Sequence, residues 1–170
     1  MELDFEIDEI TESIVDTQTG ERLETLVVPG SIADLKELTT VHGWRFDWYF
    51  ELAQSERFVY KLIIENEPDI VQGLVSFVKR ENEKLVYMPL IENAPFNIGE
   101  NKRYQGVCGN LVAYGCKMSK ECGFDGYLSF LSKTTLIEHY IKTLRAKHYG
   151  GQRMGIEPED ADWLIGCYFK

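Results

Sequence analysis

The chain has 170 residues, 44% of them apolar and 12% aromatic, with 18 basic against 28 acidic side chains and a formal net charge of −10. That length and apolar share suit one compact domain able to bury about 70% of its unfolded surface, and the acidic excess disfavours a nucleic-acid partner. No apolar run approaches the ~20 residues a membrane helix needs, and an amino terminus that is acidic from Glu2 onward is not built like a signal peptide, so the expected location is the cytoplasm.

Residues 9–28 read as a hairpin, in which Ile10, Ser13 and Val15, then Leu23, Thr25 and Val27, flank a turn from Thr17 to Gly20. Pro29 and Gly30 end it. Ser31 then caps a helix running to Leu38, with Asp34 in its first turn. A second short helix is predicted over 47–54, in the most aromatic stretch of the chain: Trp44, Phe46, Trp48 and Tyr49. Three strands follow, over 58–65, 70–79 and 84–92, separated by polar turns and read as an antiparallel meander. The third contains Pro89, which lacks a backbone donor and predicts a bulge or an unpaired edge there.

A polar loop from Asn93 to Arg103 leads into a periodic segment over 105–122. Val107, Leu111, Tyr114, Met118 and Cys122 form its apolar stripe, and Gly123 stops it in a left-handed cap. Residues 126–131 form a short apolar run expected as a strand buried on both faces, in the middle of the sheet. Thr135 and Glu138 have the spacing of a capping box. They open a helix whose inner face carries Leu136, Ile137, Tyr140, Ile141 and Leu144. A last strand at 153–156 precedes Pro158, which suits the first turn of a carboxy-terminal helix over about 158–166.

Cys108, Cys116, Cys122 and Cys167 show no CxxC spacing and are expected to be reduced core thiols. The three histidines form no paired ligand motif, so no metal site is expected. Chemistry concentrates instead where Lys102, Arg103, Gly106 and Gly109 precede and open the long helix. Backbone N–H groups at a helix amino terminus have no intrahelical partner, the helix dipole favours negative charge, and glycine lets a phosphate approach the backbone. The same glycines would equally serve chain entry and close packing.

These residues resemble the diagnostic motif of the GNAT acetyltransferase superfamily: Arg or Gln, two residues, Gly, one residue, then Gly or Ala. Here it reads Arg103, Tyr104, Gln105, Gly106, Val107, Cys108, with a glycine one step later at Gly109. Residues 136–146 are similar to the family's tyrosine-bearing fourth helix and following turn, with Arg145 where glycine is usual. The resemblance covers about 26–156. It implies an α/β (α+β) fold with a GNAT-like mixed, mostly antiparallel sheet, splayed central strands and helices on both faces, as one domain over 1–170. The hairpin at 9–28 is then an addition or a variant first strand, and the carboxy-terminal helix departs from the usual final strand.

The resemblance also implies that strands 84–92 and 126–131 part, with the pantetheine arm of acetyl-CoA between them. Backbone groups near Leu90 and Ile91 would bind that arm and polarise the thioester carbonyl. The pyrophosphate end would be held over Arg103, Tyr104, Gln105, Gly106, Val107, Cys108, Gly109 and Asn110. Direct attack by an amine needs it neutral, against a free pKa of about 10.4, so a base is required. Glu92, where the family often carries a glutamate, is the candidate; a solvated acid before a loop is the other reading. Tyr140 matches the family's tyrosine that protonates the departing thiolate, and also suits a core aromatic.

The implied activity is transfer of acetyl from acetyl-CoA to a primary amine on a small molecule or protein, with no membrane partner and with a homodimer compatible. Two alternatives stand beside it: an aminoacyl-tRNA-acetylating toxin, and a non-catalytic GNAT-fold module that binds CoA or a protein. The aromatic cluster from Trp44 to Tyr49 is either one wall of the acceptor pocket or packing onto the sheet.

Overall fold

The computed structural model describes residues 1–169. In chain order the elements are β1 (Ile14–Asp16), β2 (Arg22–Leu23), β3 (Thr25–Pro29), α1 (Ile32–Glu37), α2 (Trp48–Ala53), β4 (Phe58–Ile64), β5 (Glu67–Arg80), β6 (Leu85–Asn93), β7 (Tyr104–Gln105), α3 (Val107–Glu121), β8 (Leu128–Leu131), α4 (Ile137–Leu144), β9 (Lys147–His148), β10 (Arg153–Ile156) and α5 (Pro158–Tyr168). Seven strands form the main sheet in the order β3-β4-β5-β6-β8-β10-β9, and β2-β1-β7 form a second, three-stranded one. Each pairing in the main sheet is antiparallel except β6 with β8.

Alternation along β5 assigns the two faces of the sheet. A Cβ on Gly73 would meet Val107 and Leu111 of α3, and Phe77 lies beneath Gly115 of the same helix. The intervening Ser76 donates to Glu51 of α2 at 2.5 Å. Residues of opposite parity on a strand point to opposite faces, so α3 and α2 lie on opposite sides. Helix α5 packs with α3, and α4 meets α5 through Arg145, whose guanidinium sits 3.7 Å from the Trp163 ring centroid. Leu74, Phe77, Met88, Leu111, Leu128 and Tyr140 are fully buried in the core between these layers.

The local sequence signals explain most of these elements. Ser31 and Asp34 form a reciprocal capping box on α1, and Asp47 caps α2 by accepting from Phe50 N–H at 2.9 Å. Pro89 falls at a bulge: Ser76 pairs with Leu90 and Val78 with Tyr87, so Met88 and Pro89 together oppose Phe77. Gly123 takes the expected left-handed conformation after α3. Arg145 takes it after α4, with φ 58°; its stack on Trp163 offsets the steric cost that glycine would avoid.

Two expectations need correction. The hairpin is short: β1 pairs with β2 only at Ile14–Leu23 and Val15–Arg22. Glu12 turns the chain away before it with φ 67°, and Thr25–Pro29 joins the main sheet, where β4 offers five paired positions. Thr135 caps nothing, because Thr134–Leu136 forms a 3-10 turn and Leu136 becomes the N-cap of α4 without a side-chain bond. A capping residue must itself stand outside the helical turns.

Candidate active site

Strands β6 and β8 run parallel and pair only at Val86–Leu128 and Tyr87–Ser129. Beyond Tyr87 they part, next to the bulge at Pro89. Ala94 N–H donates to Gln72 of β5 at 3.0 Å, and backbone direction alternates along a strand. Ile91 and Asn93 therefore turn their N–H and C=O toward the open side, while Leu90 and Glu92 turn theirs toward β5. A groove of about 670 Å³ runs along this edge, lined by Ile91, Glu92 and Asn93 and by Arg45 and Phe46.

At the mouth of the splay lies the amino terminus of α3. Gly106 is its N-cap in a left-handed conformation, φ 90°, which an L side chain adopts only at a cost. Tyr104 and Gln105 form β7 against β1, and Asn97 holds the loop by accepting Tyr104 N–H at 3.0 Å. Arg103 reaches back to the turn after β1, donating to Gln18 at 2.8 Å and pairing with Asp16 at 3.3 Å. Val107, Cys108, Gly109 and Asn110 are buried in the first turn of the helix. Cys108 is a buried core thiol, and that burial pushes its pKa up. Asn110 donates to Thr25 at 3.2 Å.

Glu92 is buried and holds the aromatic segment. Its Oε2 accepts from Arg45 N–H at 2.6 Å, and its Oε1 accepts from Phe46 N–H at 3.3 Å and from Trp48 Nε1–H at 2.8 Å. A carboxylate offers about four acceptor positions, and three are taken. Trp48 and Trp44 pack into the core, whereas Phe46 lines the groove.

Tyr140 projects from α4 toward the splay. Its ring is fully buried, burial pushes its phenol up, and its hydroxyl donates at 2.5 Å to the carbonyl of Phe5. That partner belongs to a segment whose placement the sequence reading missed. Residues 3–11 run through the splay from the end of β8 to the amino terminus of α3. Leu3 N–H donates to Leu131 at 2.7 Å and its carbonyl accepts from Lys133 at 3.0 Å, as a parallel bridge at Ser132. The other edge of β8 belongs to β10, so the bridge lies on the edge facing β6.

Phe5 stacks on Tyr140 at 4.6 Å between centroids and meets Phe130 edge-on at 5.7 Å. Ile7 N–H donates to His139 Nε2 at 3.0 Å. Asp4 forms a two-pronged pair with Arg45 at 2.7 and 3.0 Å and also accepts from Lys133 at 2.8 Å. The Arg45 guanidinium, with help from Lys133, holds the Asp4 carboxyl below its ordinary range against a partial desolvation cost. Asp8 accepts from Gly106 N–H at 3.3 Å and from Lys102 Nζ. The signal for this segment was present in Leu3, Phe5 and Ile7, which alternate strictly with Glu2, Asp4, Glu6 and Asp8, the pattern of a half-buried strand.

No protein-family model matches the sequence, and a search of curated proteins finds no match. Solved structures do match. A mutant form of the spermidine/spermine N-acetyltransferase SpeG from Vibrio cholerae superposes with a TM-score of 0.58 at 11% identity over 81% of this chain and 95% of that one. AtaTR bound with AcCoA gives 0.59 at 13% identity over 84% and 98%. Tetrahymena GCN5 gives 0.51 at 12% over 80% and 98%. The parallel β6–β8 pair that parts after Tyr87, the Gly106-capped α3 and the buried Tyr140 are thus set in an architecture shared with acetyltransferases, and the chain has the GNAT fold.

Proposed function

We propose that the protein is an acetyl-CoA-dependent N-acetyltransferase acting on a primary amine. The observation that carries this reading is the parting of β6 and β8 beside the Gly106-capped amino terminus of α3. A splayed edge offers unpaired backbone groups to a pantetheine arm, and a glycine-capped helix terminus offers N–H groups to a pyrophosphate. Two structural neighbours support the chemistry: one is a spermidine/spermine N-acetyltransferase, and the other is bound to AcCoA.

In the proposed reaction, the region from Arg103 to Asn110 holds the pyrophosphate, and the open-edge backbone of Ile91, next to Leu90, orients the thioester. A neutral amine attacks the thioester carbonyl, and the carbonyl electrons move onto oxygen, where fixed N–H donors stabilise them. The intermediate collapses, the C–S bond breaks, and Tyr140 gives its hydroxyl proton to the thiolate, to be reprotonated from solvent. Glu92 takes the amine proton through a water at its one unfilled acceptor position. Its three existing bonds also keep Arg45 and Phe46 in place as a wall of the acceptor groove.

A second reading, a GNAT-fold module that binds CoA or a partner protein without turnover, is favoured by the presence of residues 3–11 in the splay. Release of free thiol from acetyl-CoA separates the two. Incubation with a panel of polyamines, amino acids and lysine peptides, followed by mass spectrometry of the acceptor, is expected to give thiol release matched by the gain of one acetyl group on one amine. Binding of acetyl-CoA with no thiol release above the hydrolytic background across the panel would favour the module instead.

A further inference from the structure

We propose that the amino-terminal segment is a built-in competitor of acetyl-CoA: a strap that lies in the cofactor's track and must leave it for the cofactor to enter. The inference rests on the cofactor reading above and extends it to the control of the same cleft.

The strap engages groups at both ends of the track that the cofactor would use, and leaves the open edge of β6 facing the groove. At the anion end, the Asp8 carboxylate takes Gly106 N–H and Lys102, so a carboxylate sits where a phosphate oxygen would sit. The backbone there is closely covered as well: a Cβ on Gly106 would come within 2.6 Å of the Ser13 carbonyl. Midway, Phe5 and Ile7 bury their side chains along the path of the pantetheine arm. At the reacting end, the Phe5 carbonyl accepts the Tyr140 hydroxyl at 2.5 Å, occupying the proton that the leaving thiolate requires.

Opposite charge fastens the strap along its length. Asp4 binds Arg45 and Lys133, and Asp8 binds Lys102, so a segment whose charged side chains over residues 1–9 are all acidic neutralises cations that would otherwise face an anionic cofactor. Yet the hold is local. Leu3 is joined to the sheet by a single bridge, and the strap takes no place in either strand ladder. A segment held by one bridge, three hydrogen bonds to His139, Tyr140 and Gly106, three buried apolar side chains and ion pairs near the surface, with no strand ladder of its own, has the character of a low-stability unit that opens below the threshold for global unfolding. The apparent affinity for acetyl-CoA is then the intrinsic affinity reduced by the fraction of molecules with the strap open.

The test uses the full chain. Amide hydrogen exchange of Leu3 and Ile7, whose N–H groups are bonded to Leu131 and His139, is followed with and without saturating acetyl-CoA. A calorimetric titration compares the wild type with the double variant Phe5→Ala, Asp8→Asn. The proposal expects these two amides to lose protection as the ligand saturates, and the variant to bind at least about tenfold more tightly; binding by the variant alone also supports it. Saturable binding in which both amides stay protected would overturn the strap while leaving the cofactor reading intact. No binding by either protein, with melting curves showing both folded, would overturn the cofactor reading and the strap with it. The exchange measurement needs no substitution, so a poorly folded variant leaves the proposal exposed to refutation.

Discussion

Replacing Glu92 by Gln separates a structural from a purely chemical role for this carboxylate. In the folded protein Oε2 faces Arg45 N–H and Oε1 faces both Phe46 N–H and Trp48 Nε1–H. A glutamine can place its carbonyl at the Oε1 position and keep two bonds, but its NH2 group then points at Arg45 N–H, donor against donor. The lost 2.6 Å bond leaves a part-buried donor unsatisfied and removes the charge from the remaining bonds, which together cost about 2 kcal/mol. Urea denaturation followed by tryptophan fluorescence reads this directly, because Trp48 is itself one of the partners. With a slope of about 2 kcal/mol per molar urea, the midpoint should fall by about 1 M without a change in slope. A midpoint within about 0.2 M of the wild type, under the same linear dependence, would refute the structural role and leave Glu92 as a base alone.

Three further outcomes follow from the same geometry. Gly106→Ala puts a Cβ 2.6 Å from the Ser13 carbonyl at a residue with φ 90°; the left-handed strain alone costs about 1–2 kcal/mol, and hydrogen exchange should show lost protection at Asp16 and Thr17, whereas unchanged stability and exchange would contradict the packing. Tyr140→Phe removes the bond to the Phe5 carbonyl, loosening the strap by about 1–2 kcal/mol; kcat should drop at least about tenfold while the KM for acetyl-CoA falls, and an unchanged kcat would remove Tyr140 as the acid. Because Arg45, with Lys133, lowers the folded-state pKa of Asp4, the stabilisation it gives is present above the unfolded value near 3.9 and is lost as pH falls through the folded value. Protection of the Leu3 amide should therefore drop as pH is taken from about 5 to about 3, and Asp4→Asn should lack that component; identical profiles would refute it.

Much of the fold was legible because its signals are local. The stripe from Val107 to Met118 marks α3, the Ser31–Asp34 box marks the start of α1, and Pro89 marks the bulge at which β6 leaves β8. Where the sequence misled, a distant partner decided. Thr25 to Pro29 alternate as a hairpin arm would, but β4 offers them a longer register than β1 does. Thr135 has the spacing of a cap, yet the preceding chain arrives from Lys133 already in a 3-10 turn. At the candidate site, Gly106 and Tyr140 are named through the family resemblance that their flanking residues carry. The strap could not be named, because Leu3 finds its edge at Ser132 and Asp8 its anion site at Gly106, and a period of two says that a strand is half buried without saying against what. The same gap concealed the engagement of Glu92, whose donors come from the segment leading into α2, which folds over it on the α2 face of the sheet.

The central claim is that the splay between β6 and β8, with Gly106 at its mouth, binds acetyl-CoA, and a calorimetric titration of the wild type beside Gly106→Asp tests it most directly. The wild type is expected to show saturable one-to-one binding, with a melting shift equivalent to about 2.7 kcal/mol at 100 times the dissociation constant, and a folded Gly106→Asp protein is expected to lose it, because the added negative charge at the helix terminus repels the phosphate. Absence of binding at millimolar acetyl-CoA by both the wild type and the Phe5→Ala, Asp8→Asn variant, or equal binding by the wild type and Gly106→Asp, would contradict the claim.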